Sequence, residues 1–270
     1  MSSETVKLLC IGVAKSKIAK NCPGADLDAL RMFEIISAAT EQKPAYSKAL
    51  ISEEATAKNV EDELLKVCSD NDGLAIIFYA GHGASQRVKY KAEEEADGKD
   101  EYILLYDNYM LDDQIWNIVS TAQCRVFMIF DCCHSETMFR FAKDIVDITR
   151  QDGLFRRVID TIKKFFSKLR SFRESKPRTV YYLNKNPQFP ELLCWSGCAD
   201  DKVSYGNSSG GLFTSTILKY LAELGGSSLT YESFWSKLAS DSRLNTREVC
   251  KRTLLPGTKT DTFDNRTIFS

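Results

Sequence analysis

Two uninterrupted apolar runs stand out in the pattern of hydrophobic and polar positions. Leu74 to Tyr79 (LAIIFY) and Val126 to Phe130 (VFMIF) are each bounded by abrupt polarity. Both are too short for free-standing helices, and such runs read as strands buried on both faces of a parallel sheet. Thr5 to Val13 predicts a further strand, with Gly12 at its exit into a loop, and Tyr46 to Ser52 another. Between the strands the period changes to that of a helix. Leu27, Leu30, Met32, Phe33 and Ile36 recur at helical spacing behind Asp26 and Asp28, and a second helix follows Thr56 and runs through Cys68. On pattern alone, Asp26 and Asp28 are acids complementing a helix N-terminus. Strands alternating with helices imply right-handed crossovers and a parallel sheet.

Further along, Tyr102 to Leu105 predicts an edge strand or hairpin, and Leu111 to Val119 a helix with Asp112 and Asp113 in its first turn. The pattern then changes character. Over 154–173, Phe155, Val158, Ile159, Ile162, Phe165, Phe166, Leu169 and Phe172 fall on one helical face, with arginines and lysines elsewhere. A basic amphipathic helix can lie on a membrane or a partner, but packing of its stripe on its own domain is the expectation here. Ser175 to Gln188 reads as a connection into a strand at Leu192 to Ser196. Helices follow at Leu212 to Leu224 and near Tyr231 to Ser240, with a last strand at Arg252 to Leu255.

Composition narrows the classes. The 270 residues, 43% hydrophobic, suffice for one large α/β core. A formal net charge of -1 gives no global attraction for nucleic acid or an anionic membrane. The first residues lack the basic leader of a signal peptide, and no run approaches the ~18 apolar residues of a membrane span. Nine cysteines, odd in number and scattered, argue against a disulfide framework and for a reducing, cytoplasmic setting.

Both dominant runs end on chemistry, at the carboxyl ends of strands where open α/β sheets place their reactive groups. One runs into YAGHG (Tyr79 to Gly83), the other into DCCHS (Asp131 to Ser135), and His82 and His134 are the two histidines of the chain. Nucleophilic thiol catalysis needs an imidazole to take the thiol proton. His134 adjoins Cys133, and neighbouring side chains at a strand end diverge, so His82 is the expected base. The bland alternative is a pair of buried structural cysteines and a histidine in a glycine turn. Other chemistries are weaker. Gly206 to Gly211 lacks a phosphate-binding pattern, and Cys194 with Cys198 has no second pair for zinc.

YAGHG and DCCHS resemble the two signatures of the metacaspases, caspase-like cysteine peptidases, and His82 lies about fifty residues upstream of the cysteine as in caspases. NCPGADLDALRM, GKDEYILLYD, LDDQI, CWSGCADDKVSYG and GGLFT resemble further family segments, so the likeness spans about residues 5 to 265. It implies a caspase-hemoglobinase-like three-layer α/β/α sandwich with a central, mostly parallel sheet. One domain over 1–270 is expected, with a large segment 1–150, a basic connection 151–188 and a small segment 189–270. The resemblance makes Cys133 the nucleophile, His82 the base and acid, and Cys132 structural. The backbone amides of Gly83 and Cys133 would form the oxyanion hole. Asp28 and Asp131 would line a pocket for a basic side chain before the scissile bond, unlike the arginine-rich pocket of true caspases.

The same likeness implies a monomer acting on proteins or peptides cut after Arg or Lys, and autoprocessing between Arg156 and Arg178. Asp100, Asp112 and Asp113 are hard oxygen ligands for a Ca2+ cofactor, or else acids that cap a helix and solvate a loop. Three positions depart from the pattern: Ala80 where many relatives have serine, Glu136 where glycine is common, and Arg140 where calcium-binding relatives tend to carry an acid. The rival is a catalytically silent caspase-like regulatory or scaffold module. Loss of the thiol or imidazole would favour it, and both are present.

Overall fold

A computed structural model describes residues 5–40, 43–69, 72–87, 99–132, 190–197, 206–224, 229–247, 251–255 and 263–269. Its centre is a six-stranded sheet. The strands are β1 (Val6–Gly12), β2 (Tyr46–Ile51), β3 (Leu74–Ala80), β7 (Arg125–Asp131), β8 (Leu192–Ser196) and β11 (Lys251–Leu255), in the order β11-β8-β7-β3-β1-β2. Every pairing is parallel except β11 on β8.

The apolar runs are continuous because helices cover both faces. Leu9, Ile11, Ile77, Tyr79, Met128 and Phe130 pack on one side with α2 (Ala57–Val67) and α3 (Asp112–Val119). Their neighbours Leu8, Cys10, Ile76, Phe78, Phe127 and Ile129 pack on the other side. There they meet α1 (Ala25–Ala39), α4 (Leu212–Leu224), α5 (Tyr231–Ala239) and α6 (Ser242–Arg247). Each such side chain, taken fully from water, contributes about 1.5–3 kcal/mol. The three-layer α/β/α sandwich expected from the sequence is therefore present. An aromatic group knits the second face, with Phe127 edge-on to Trp195 at 4.8 Å and Trp195 stacked on Phe234 at 5.6 Å.

Local signals worked as expected in several places. Thr56 caps α2 by accepting the Asn59 N–H at 3.2 Å. Two expectations change. Leu30, placed on the apolar stripe of α1, is 42% exposed, while Asp28 takes a buried place on that helix. Of the two alternatives for Tyr102 to Leu105, the hairpin is the one formed: Tyr102 to Leu104 lies in β5 (Lys99–Leu104), the middle strand of a second, antiparallel sheet between β4 (Gly83–Arg87) and β6 (Tyr109–Leu111), so it is not an edge strand. Two-residue strands β9 (Gly206–Asn207) and β10 (Gly210–Gly211) make a tight turn before α4. The amphipathic stretch 154–173 and the connection 175–188 lie outside the described residues.

Candidate active site

The strand ends are locked in register. Ala80 at the end of β3 pairs with Asp131 at the end of β7, and the Gly81 N–H donates to the Asp131 carbonyl at 3.4 Å. His82 lies two residues past Ala80. Its carbonyl accepts the Leu104 N–H at 2.9 Å and also lies 2.9 Å from the Tyr79 hydroxyl, which reaches the Leu104 carbonyl at 2.7 Å. Tyr79 thus curls back beneath the turn from a fully buried ring. Gly81 makes room for it, because a Cβ there would strike the Tyr79 hydroxyl. Three residues of YAGHG are thereby explained by one constraint, the fixing of the His82 backbone. The imidazole is half-buried, and its Nε2 is buried without a hydrogen-bond partner among the described residues. Gly83 opens β4 opposite Ile103.

Asp28 and Asp131 come together from different elements. Asp28, on the first turns of α1, is 3% exposed, and Asp131, the last residue of β7, is 6% exposed. Both face the residues that start α4. The Gly211 N–H donates to Asp28 Oδ2 at 2.7 Å, and Asp131 Oδ2 accepts the Thr214 N–H at 3.1 Å and the Thr214 hydroxyl at 2.6 Å. Asp28 Oδ1 is buried without a partner among the described residues. The two glycines are dictated by this closeness: a Cβ on Gly210 would strike Asp28, and one on Gly211 would strike Asp131. Gly24, at φ 95° just before α1, is forced likewise, since a Cβ there would strike the Asn207 carbonyl. Arg31 Nη1 donates to the Ser209 carbonyl at 2.9 Å and ties α1 to the same turn.

Electrostatics follow from this packing. Burial above all, with the neighbouring Asp131 charge adding to it, pushes the Asp28 carboxyl up to about 7, against the pull of the Gly211 N–H and the Arg31 guanidinium. Asp26, its neighbour on α1, does different work. Its Oδ1 accepts the Ala14 N–H at 2.9 Å and its Oδ2 the Ser52 hydroxyl at 2.6 Å, which stitches the loop after β1 to the end of β2.

The remaining expected residues separate. Cys132 is buried. Cys133, His134, Glu136 and Arg140 lie outside the described residues. Asp112 and Asp113 stand in the first turn of α3, with Asp112 Oδ1 accepting the Asp113 N–H at 2.9 Å, a helix-end role. Asp100 is in β5 opposite Gln86, and its side chain lies outside the described ones. Among the described residues no group of three or more His, Cys, Asp or Glu side chains is placed to hold a metal ion. Tyr79, Thr214 and Arg31 had no role assigned from sequence, and Gly211 was read there as part of a turn. The signal for Tyr79, Gly211 and Thr214 lies within YAGHG and GGLFT, and that for Arg31 within NCPGADLDALRM, where these residues flank the expected site residues.

The mostly parallel α/β sheet brings an imidazole and an acid to neighbouring strand ends, with a second acid from α1, the place where open α/β sheets bind their ligands. Comparison narrows the reading. The model of the caspase domain family matches residues 6–256. The chain belongs to that family, whose members are cysteine peptidases acting on protein substrates. A search of curated proteins finds no match. Among solved structures, protein GSU0716 from Geobacter sulfurreducens is similar at 20% identity and a TM-score of 0.67, over 98% of each chain. Caspase-1 from Spodoptera frugiperda is similar at 10% identity and a TM-score of 0.53, over 98% of this chain and 91% of that one. Both share the fold. Among the described residues no helix is long and apolar enough to cross a membrane.

Proposed function

We propose that the protein is a cysteine endopeptidase cleaving after Arg or Lys, of the metacaspase kind. The observation that carries this reading is the pair of buried carboxylates, Asp28 and Asp131, with one Asp28 oxygen lacking any partner among the described residues. An unsatisfied buried carboxylate beside a second one is costly by itself, and a guanidinium or ammonium group is the ligand that relieves both. In this reading Cys133, two residues past the Asp131 that pairs with Ala80, attacks the carbonyl carbon of the bond after the basic residue. His82, two residues past Ala80, takes the thiol proton, passes it to the leaving amine, and then activates the water that releases the acyl group from sulfur. In the same reading the amides of Gly83 and Cys133 would form the oxyanion hole.

Autoprocessing between Arg156 and Arg178 belongs to the same proposal, motivated by the density of basic residues there. The single domain, the monomeric state and calcium stimulation through Asp100, Asp112 and Asp113 are parts of it as well.

The test compares wild type with Cys133→Ala on fluorogenic peptides ending in Arg, Lys or Asp, with and without millimolar calcium. Hydrolysis after Arg or Lys that vanishes in the variant is expected, and fragments sequenced from wild type should be missing from the variant. Cleavage after Asp, or silence from folded protein, would overturn the reading.

A further inference from the structure

We infer that Thr214, through its hydrogen bonds to Asp131, is a positioning residue that sets the charge and hence the basic-residue specificity of the acid pair. The inference rests on the basic-pocket reading above and extends it to a residue outside that machinery. An α-helix leaves its first amides without intrahelical partners, and these together carry partial positive charge. In α4 two of them are satisfied from outside: the amide of Gly211, just before the helix, by Asp28, and that of Thr214, its third residue, by Asp131. The 13-residue helix therefore ends against both acids, and the Thr214 hydroxyl adds a third donor at 2.6 Å.

Two carboxylates this close repel each other unless something compensates their charge. Among the described residues the charged groups acting on Asp28 are Asp131 and Arg31. On its own helix Arg31 is engaged with the Ser209 carbonyl, β7 supplies Asp131, and the β9–β10 turn and α4 offer backbone amides and the uncharged Thr214 hydroxyl. Thr214 is fully buried, so no water replaces its hydroxyl. Its hydroxyl is thus an uncharged donor that favours the ionised pair. A proton held by Asp28 competes with a substrate guanidinium for the same oxygens.

Thr214→Val removes the hydroxyl at nearly constant volume and keeps the backbone N–H. Loss of one hydrogen bond to a charged group is expected to raise KM for an Arg peptide about tenfold at pH 7 with kcat changed less than twofold. The midpoint of the 1/KM profile should move up by about one pH unit. Thr214→Ser, which restores the donor, should return both to wild type, and thermal melting of both variants checks that they are folded. An unchanged KM and profile in Thr214→Val would sink the inference while leaving the pocket in place. Equal losses of kcat in the Val and Ser variants would overturn it too, as the sign of a structural role. Failure of wild type to cleave any basic peptide overturns the pocket reading itself, and this inference with it.

Discussion

A carboxylate enclosed between a helix start and a glycine turn stabilises the fold less as it ionises. For Asp28 the sign follows from its rise from 3.8 to about 7. Between those values the folded state binds more protons than the unfolded chain, so its contribution is complete below about pH 4 and is lost as pH rises through about 7. Asp28→Asn keeps an acceptor for the Gly211 N–H and removes the charge. It should stabilise the protein at pH 8 by on the order of 2–4 kcal/mol, with little effect at pH 4, while abolishing cleavage after Arg. Urea unfolding at the two pH values reads this directly; equal effects at both would show that the charge is not what costs stability. The sequence placed Asp28 on the right helix and, by resemblance, beside Asp131. It could not reveal the cost, because pattern alone made Asp28 an acid complementing a helix N-terminus. The groups that bury it, Gly211 and Asp131, lie far from it along the chain.

At the scale of elements, runs that carry their own period were legible, and pieces that depend on a distant partner were not. Leu212–Leu224 and Leu192–Ser196 have the bounds expected from sequence, because a helical or buried-strand pattern is written into consecutive residues. β4 and β6 escaped notice, since each is a short, mixed segment that becomes a strand by pairing with β5. Leu30 misled for a related reason. Its spacing fits the stripe of α1, yet the sheet-facing side of that helix is filled by Ala25, Asp28, Ala29, Met32 and Ile36. The junction between α1 and the β9–β10 turn is the element-level determinant of the site. Gly24→Ala, with its Cβ driven against the Asn207 carbonyl at a positive φ, should cost about 1–3 kcal/mol and raise KM for an Arg peptide. Unfolding and kinetics measured on the same preparation check it, and an unchanged KM would show that the turn tolerates the shift.

For the molecule as a whole, the sheet order fixes which parts of the chain depend on one another. The large-segment strands β1, β2, β3 and β7 are followed in the sheet by β8 and β11, and β7 pairs with β8 from Val126↔Leu192 to Phe130↔Ser196. That ladder is extended by the Val126 N–H on the Glu191 carbonyl and the Gly197 N–H on the Phe130 carbonyl, both at 2.9 Å. Phe127 and Trp195 seal it on one face. A backbone break anywhere between Cys132 and Pro190 cuts none of these bonds. The protein is in this sense a self-complementing pair, and segments 1–150 and 189–270 made as separate polypeptides should associate and co-purify. Exchange of Leu193, fully buried on the α1 and α4 side of that seam, for Asp should abolish the association. Asp131 and Thr214 lie on opposite sides of the break. Neither polypeptide alone would hold a complete acid pocket, and discrimination between substrates would arise only on their assembly.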